Sequence, residues 1–289
     1  MTKYCISDLI IEIAAPEWVL HDNFKFFSCK NGNPDVYCKV KFEKRPGKPA
    51  AGVKIIAKTP GTLIFEYEKH IHNLSGDEHD IPCYTTASMD WSSYTMFIDP
   101  EYNNPNDDAI VQTVKEGIFV SLREAVIGRL AQKNGLIIHS STILWQGRAI
   151  MFSAPSGTGK STHAHLWQQL YNTPILDGDA AACRIIDGSP IVYGLPWCGT
   201  SGEFINQSAP LGAIVFLQQS KENSIVRLDF RESVLRLAAR CFLLPWSNEL
   251  MNQYLDTVQE ITAETECFLL NCLPDFEAVE LVKKCLQIT

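Results

Sequence analysis

The sequence predicts an α/β protein: a phosphate-loop core, in which a mixed sheet is flanked by helices, preceded by a small β-rich N-terminal domain. Three observations lead to this expectation. A buried apolar run (149–152) gives way to Ala154-Pro155-Ser156-Gly157-Thr158-Gly159-Lys160-Ser161 and then to a helical pattern over 162–170. Helix-like and strand-like segments alternate through the second half of the chain. Residues 4–100 instead carry short β-favouring runs, broken by Asn-Gly, Pro-Gly and Asp-rich turns.

With 289 residues, 46% of them hydrophobic, the chain is long enough for one large domain and a small one. A net charge of −8, with no basic stripe, argues against a nucleic-acid partner, which depends on phosphate neutralisation. The ten cysteines are scattered, without Cys-x-x-Cys or Cys/His spacing for zinc, and several lie in apolar runs. Buried free thiols in a reducing cytoplasm are the economical expectation. The opening residues lack the basic-then-apolar pattern of a signal peptide, and no apolar run approaches bilayer length, so a cytoplasmic protein without a membrane partner is expected.

In order along the chain, runs at 9–13, 36–42, 53–57, 62–67 and 94–98 read as strands. His70, His72 and His79 suggest a metal site or a partly solvated strand face; without a second ligand cluster the strand face is favoured. Trp91 is expected to pack against the second half. The polar connector 99–107 places a boundary between a β-rich domain (1–106) and a nucleotide-binding domain (107–289). Ile118, Leu122, Val126 and Leu130 mark a helix over 109–132, stopped by Asn134-Gly135. Residues 136–145 form a strand, Gln146-Gly147 a tight turn and 148–152 its hairpin partner. His139 interrupts that first strand, and on pattern alone it reads as a satisfied core residue.

After the loop helix, a short strand over 174–179 ends in Asp177-Gly178-Asp179. Residues 191–203 leave a strand and become a glycine-bounded loop, either a substrate-facing lid or a packed tryptophan turn. Cys198 within it has no partner base to make it a nucleophile. Strands follow at 211–217, 224–228 and 267–270, and helices at 231–242, 248–259 and 275–286. Of Arg184, Arg227, Arg231 and Arg240, the sequence does not say which reaches a phosphate.

The chemistry of the central loop follows from its residue types. Gly157 and Gly159 let the backbone turn its N–H groups around a polyphosphate, and the helix behind adds the positive end of its dipole. Ser156, Thr158 and Thr162 complete the nucleotide contact, Lys160 bridges the β- and γ-phosphates, and the Ser161 hydroxyl meets Mg²⁺. Carboxylates at the end of the next strand, Asp177 and Asp179, can hold the metal, orient an acceptor hydroxyl or take its proton; the alternative is a plain Asp-Gly turn.

Gly135 to His139, the hairpin, Ser156 to Ser161 and Ile175 to Asp179 together resemble the catalytic domain of HPr kinase/phosphorylase and its relatives, whose core is similar to phosphoenolpyruvate carboxykinase. The similarity covers roughly residues 110–220. It is closer to stand-alone HPr-kinase-like proteins, some of which occur beside peptide-modification genes and phosphorylate serine hydroxyls; Tyr193 to Trp197 looks like theirs. The resemblance implies that His139 lines the active site and that paired acids serve as base and metal partner. Asp179 matches the second acid, and Asp177 stands in for the first from one residue earlier. Thr162 follows the loop serine as in the carboxykinases, and the segment used for phosphorylase chemistry has no match. The implied protein is an ATP- and Mg²⁺-dependent phosphotransferase acting on a hydroxyl of a peptide, protein or small alcohol, with the N-terminal domain recognising the acceptor. A carboxykinase-like enzyme and an inactive nucleotide sensor are the alternatives, and an oligomer is compatible with any of them.

Overall fold

The computed structural model describes residues 1–44, 53–75 and 83–286; His79 lies outside them. The chain divides into unit 1 (Met1–Gln132 with Leu244–Met251) and unit 2 (Lys133–Leu243 with Asn252–Thr289). Among the described residues the strands form two nine-stranded mixed sheets. No described helix is long and apolar enough to cross a membrane.

Unit 1 holds β1 (Thr2–Ile6), β2 (Leu9–Ala14), β3 (Ser28–Cys29), β4 (Val36–Phe42), β5 (Lys54–Lys58), β6 (Thr62–Tyr67), β7 (His70–Ser75), β8 (Cys83–Ser88), β9 (Ser93–Ile98) and helix α1 (Asp108–Ala131). Their order is β3-β1-β2-β4-β9-β8-β7-β6-β5. Sequence patterns missed β1, β3, β7 and β8. Two of these enter or leave through turns made by Ser7-Asp8 (φ 53° and 57°) and Glu68-Lys69 (φ 48° and 62°). Non-glycine residues in the left-handed region give none of the Asn-Gly signal that marks a hairpin. His72 is packed rather than free, its ring stacked on Phe65 at 4.8 Å and bonded to the Tyr84 hydroxyl.

Asp107 caps α1 by accepting from Ala109 N (3.0 Å) and Ile110 N (3.2 Å). The helix buries Val114, Ile118, Leu122, Ala125, Val126 and Leu130. Gly128 is required by close approach: a Cβ there would lie 2.0 Å from Trp91 Cδ2. Trp91, 1% exposed, thus packs on Gly128 of α1, and its ring lies 5.3 Å from that of Trp246, a residue of the second half of the chain.

Unit 2 contains β10 (Gly135–Trp145), β11 (Arg148–Ser153), α2 (Lys160–Tyr171), β12 (Ile175–Asp177), β13 (Ala180–Ile186), β14 (Ser189–Tyr193), β15 (Ser208–Gln219), β16 (Ser224–Arg227), α3 (Phe230–Ala238), β17 (Cys241–Phe242), α4 (Asn248–Glu264) from Asn252 onward, β18 (Cys267–Cys272) and α5 (Phe276–Leu286). The β10–β11 hairpin turns at Gln146-Gly147, both with positive φ. Pairing runs from β11 to β10, β13, β14, β15 and back to β11, a closed circuit of five strands. α2 and α5 cover one side, where Trp167, Phe152, Val215, Val279 and Val282 share a core.

One expectation is corrected here. The helix expected over 231–242 ends at Ala238, and Cys241-Phe242 pair with Ile137 and Ile138 of β10. The backbone carbonyl of Arg240 accepts His139 N at 2.8 Å. The chain therefore leaves helical geometry to satisfy a strand N–H.

Candidate functional site

The site forms where β10 changes partners. Gly135 to His139 pair with β13, and Ser140 to Trp145 pair with β11. At the changeover His139 N donates to Arg240 O (2.8 Å) and Ser140 N to Asp179 O (3.0 Å). Ser153 Oγ donates to His139 O at 2.8 Å, tying in the last residue of β11. Backbone bonds thus bring four chain segments together, and the side chains follow: His139 Nε2 lies 3.5 Å from Asp179 Oδ1. Both remain partly open, at 25% and 36% side-chain exposure.

The glycine loop leaves β11 beside them. Gly157 (φ +76°) and Gly159 (φ +112°) adopt angles that side chains disfavour, while an added Cβ at either would meet nothing within 4 Å. Backbone conformation, not crowding, demands glycine there. Gly159 starts α2 without a side-chain cap, so first-turn N–H groups and the helix dipole face the loop. Gln219 Nε2 donates to Thr158 O at 3.3 Å and steadies the loop from the end of β15. Lys160, 8% exposed, reaches back to Ala154 O at 3.4 Å. Burial lowers its pKa, with Asp179 opposing and Arg240 reinforcing the shift. Lys160 therefore feels the charges of both Asp179 and Arg240.

The acids divide. Asp177 does not join the cluster expected of it. It is 0% exposed, and its Oδ1 accepts from Asp179 N (3.1 Å) and Ala180 N (3.0 Å) while Oδ2 accepts from Leu195 N (2.9 Å). Burial pushes this carboxyl up to about 8, against the pull of those three donors. Asp177 holds the turn that presents Asp179, because its oxygens are already spent on backbone.

Glycine at 178 has a steric cause. A Cβ there would stand 2.3 Å from Ser201 Oγ and 3.5 Å from Glu203 Cβ. Gly178 N donates to Glu203 O (2.9 Å), and Ser141 Oγ donates to Gly178 O (2.8 Å) while touching Ser161 Oγ at 3.3 Å. The 199–203 loop tip thus lies against Gly178, and it brings a carboxylate of its own. Glu203 meets His165 Nε2 at 2.9 and 3.2 Å, and His165 sits one helical turn beyond Ser161. Sequence patterns missed Glu203 and His165, which only the pairing of Glu203 with Gly178 shows, and left Arg240 one of four candidate arginines until its carbonyl was seen to meet His139 N.

No group of three or more His, Cys, Asp or Glu side chains among the described residues is arranged to hold a metal alone. Ser161, Asp179 and Glu203 offer oxygen donors, the kind that a hard divalent cation takes together with phosphate and water. Two cavities flank the loop. One of about 780 Å³ is lined by Ser153 to Thr158, Phe216 to Gln219 and one face of α3. The other, about 450 Å³, is lined by Gly157 to Gly159, Thr162, His163, Gln219, Ser220 and Cys272 to Pro274. Of the expected residues, His139 and Asp179 meet and Lys160 feels the charge of Asp179, Ser161 joins Gly178 through Ser141, and Gly157 to Gly159 and Thr162 edge the smaller cavity with Ser156 in the larger.

Two large mixed sheets with flanking helices, and a glycine loop between a buried strand and a helix, define a mixed α/β protein whose candidate site suits a polyanion. A family model described as SynChlorMet cassette protein ScmC matches residues 106–276, more than half of the chain, and the chain belongs to that family. No curated protein matches it. Among solved structures it is similar to the Hpr(Ser) kinase/phosphatase from Coxiella burnetii, at 7% identity and a TM-score of 0.29, over 51% of this chain and 94% of that one.

Proposed function

We propose that this protein is an ATP-dependent phosphotransferase that moves the γ-phosphoryl group to a hydroxyl, most plainly that of a serine or threonine in a peptide or protein. One observation carries this: the glycine loop and helix start carry Lys160, which feels the charge of Asp179, while Asp179 and His139 are held together by one strand changeover. The loop amides hold the phosphates and the Lys160 ammonium neutralises the transferred group. His139 donates to the phosphate oxygens. Ser161 with Asp179 and Glu203 would hold Mg²⁺, which would supply charge neutralisation to the phosphates. Asp179 also accepts the acceptor proton as the new O–P bond forms and the bond to the β-phosphate breaks, with ADP leaving. Asp177 takes no part beyond positioning Asp179.

The division expected from the sequence remains the working assignment, with 1–106 recognising the acceptor and 107–289 carrying catalysis. The start of the family match at residue 106 supports it, although α1 clusters with unit 1. γ-labelled ATP supplied with serine-containing peptides tests the activity. Transfer by the wild-type chain, lost by at least about a hundredfold in Lys160→Ala, is expected; equal labelling by both would overturn the mechanism.

A further inference from the structure

The larger cavity has a wall that nucleotide binding leaves unexplained. Glu232, Leu235, Arg236, Ala239 and Arg240 line it, a spacing that keeps them on one side of α3 and its final turn. Leu235 is 62% exposed. Arg236 shares its charge with Glu232, Nε and Nη2 lying 2.9 and 2.7 Å from the same oxygen. Arg240 lines the same wall, and its charge acts on Lys160. In a chain of net charge −8, this wall is cationic and partly apolar, and it adjoins His139 through the Arg240 carbonyl, which accepts His139 N at 2.8 Å. The smaller cavity is its opposite. It meets the loop near Thr162 and Gly159, and no carboxylate, lysine or arginine lines it; Leu273 and Pro274 form its far side. A neutral base fits the smaller cavity and an anion the larger one.

Resting on the phosphotransferase reading, we infer that the larger cavity is the acceptor subsite, and that the acceptor is a peptide whose hydroxyl residue lies next to a carboxylate. Arg240 takes the carboxylate, Leu235 and Ala239 take the apolar neighbour, and the nucleoside occupies the smaller cavity. Charge pairing at Arg240 then selects among hydroxyls that the phosphoryl group can reach.

The test uses the full chain with Mg·ATP and four capped tetrapeptides: acetyl-Ala-Ser-Asp-Ala-amide, acetyl-Ala-Asp-Ser-Ala-amide and the Asn counterpart of each, with free serine alongside. One Asp peptide is expected to exceed its Asn counterpart by about tenfold in kcat/KM, the factor that one charge-assisted hydrogen bond supplies. In Arg240→Gln that ratio falls towards one, and in Arg236→Gln it falls less. The ratio is the readout because loss of a phosphate contact lowers both peptides alike. Equal use of Asp and Asn peptides by the wild type, or a ratio unchanged in Arg240→Gln, overturns the inference. So does free serine used as well as the Asp peptide, which would move the carboxylate to a small hydroxy acid, and so does ATP binding without transfer to any peptide. Calorimetry separates these from failure of the underlying reading, in which the wild type takes up no Mg·ATP at all.

Discussion

His139 Nε2 lies 3.5 Å from Asp179 Oδ1, and the two residues are held there by backbone bonds on either side of one strand changeover. Ser140 N binds Asp179 O while His139 N binds Arg240 O. Side-chain placement at this site is therefore a consequence of main-chain pairing.

Gly178→Ala forces a Cβ to within 2.3 Å of Ser201 Oγ and 2.9 Å of Ser201 Cβ. Rotating the hydroxyl relieves only the first contact, so the loop tip must move, at a cost of about 1–3 kcal/mol in stability. Urea unfolding should show that loss, and Gly178→Ala/Ser201→Gly should recover part of it. A Gly178→Ala chain as stable as wild type would show that the tip does not rest there.

Asp177→Asn should lower stability by about 1–3 kcal/mol, since an amide offers one acceptor where Asp179, Ala180 and Leu195 N–H groups occupy both oxygens. The expected signature is a lower melting temperature, with the Mg²⁺ dependence of any turnover unchanged. A shifted Mg²⁺ requirement at unchanged stability would return Asp177 to the metal.

Glu203 and His165 are 33% and 41% exposed, so their pairing is worth only about 0.2–1 kcal/mol of stability. Glu203→Gln should thus leave the melting curve nearly unmoved, yet weaken Mn²⁺ binding in the presence of ADP, measured by electron paramagnetic resonance. His165→Ala should weaken it less. Unaltered Mn²⁺ binding in Glu203→Gln removes Glu203 from the site.

His163 is 3% exposed, its ring edge-on to Phe152 at 4.5 Å and accepting from Trp167 Nε1 at 3.3 Å. Burial lowers its pKa from 6.5 to about 4. The unfolded chain therefore binds a proton before the folded one does, and stability contributed above pH 6.5 drains away as pH falls towards 4. The full loss is about 3 kcal/mol. Denaturation at stepped pH should show this slope in wild type and its absence in His163→Phe, which carries its own constant penalty for the stranded Trp167 donor. Parallel slopes in the two chains would contradict it.

The loop and its helix were legible because their signal is local: Gly157, Gly159 and Lys160 must follow a strand and open a helix whatever the rest of the chain does. So was the β10–β11 hairpin, whose Gln146-Gly147 turn carries its own conformation. Partners distant in sequence were not. Glu203 meets Gly178 across a loop, and Arg240 meets His139 through a carbonyl. Nothing in the period of residues 231–242 announced that the helix would yield to a strand bond at 241. Asp177 misled for the same reason. Its position at a strand end reads as exposed, and only the three converging N–H groups show that its oxygens face the backbone.

The most direct test of the central claim is calorimetric titration of Mg·ATP into the full chain. Saturable uptake by the wild type, retained in Asp177→Asn and weakened at least about tenfold in Lys160→Ala, is the predicted result. No uptake by the wild type, or equal affinity after loss of Lys160, would contradict a triphosphate held on the Gly157 to Gly159 loop.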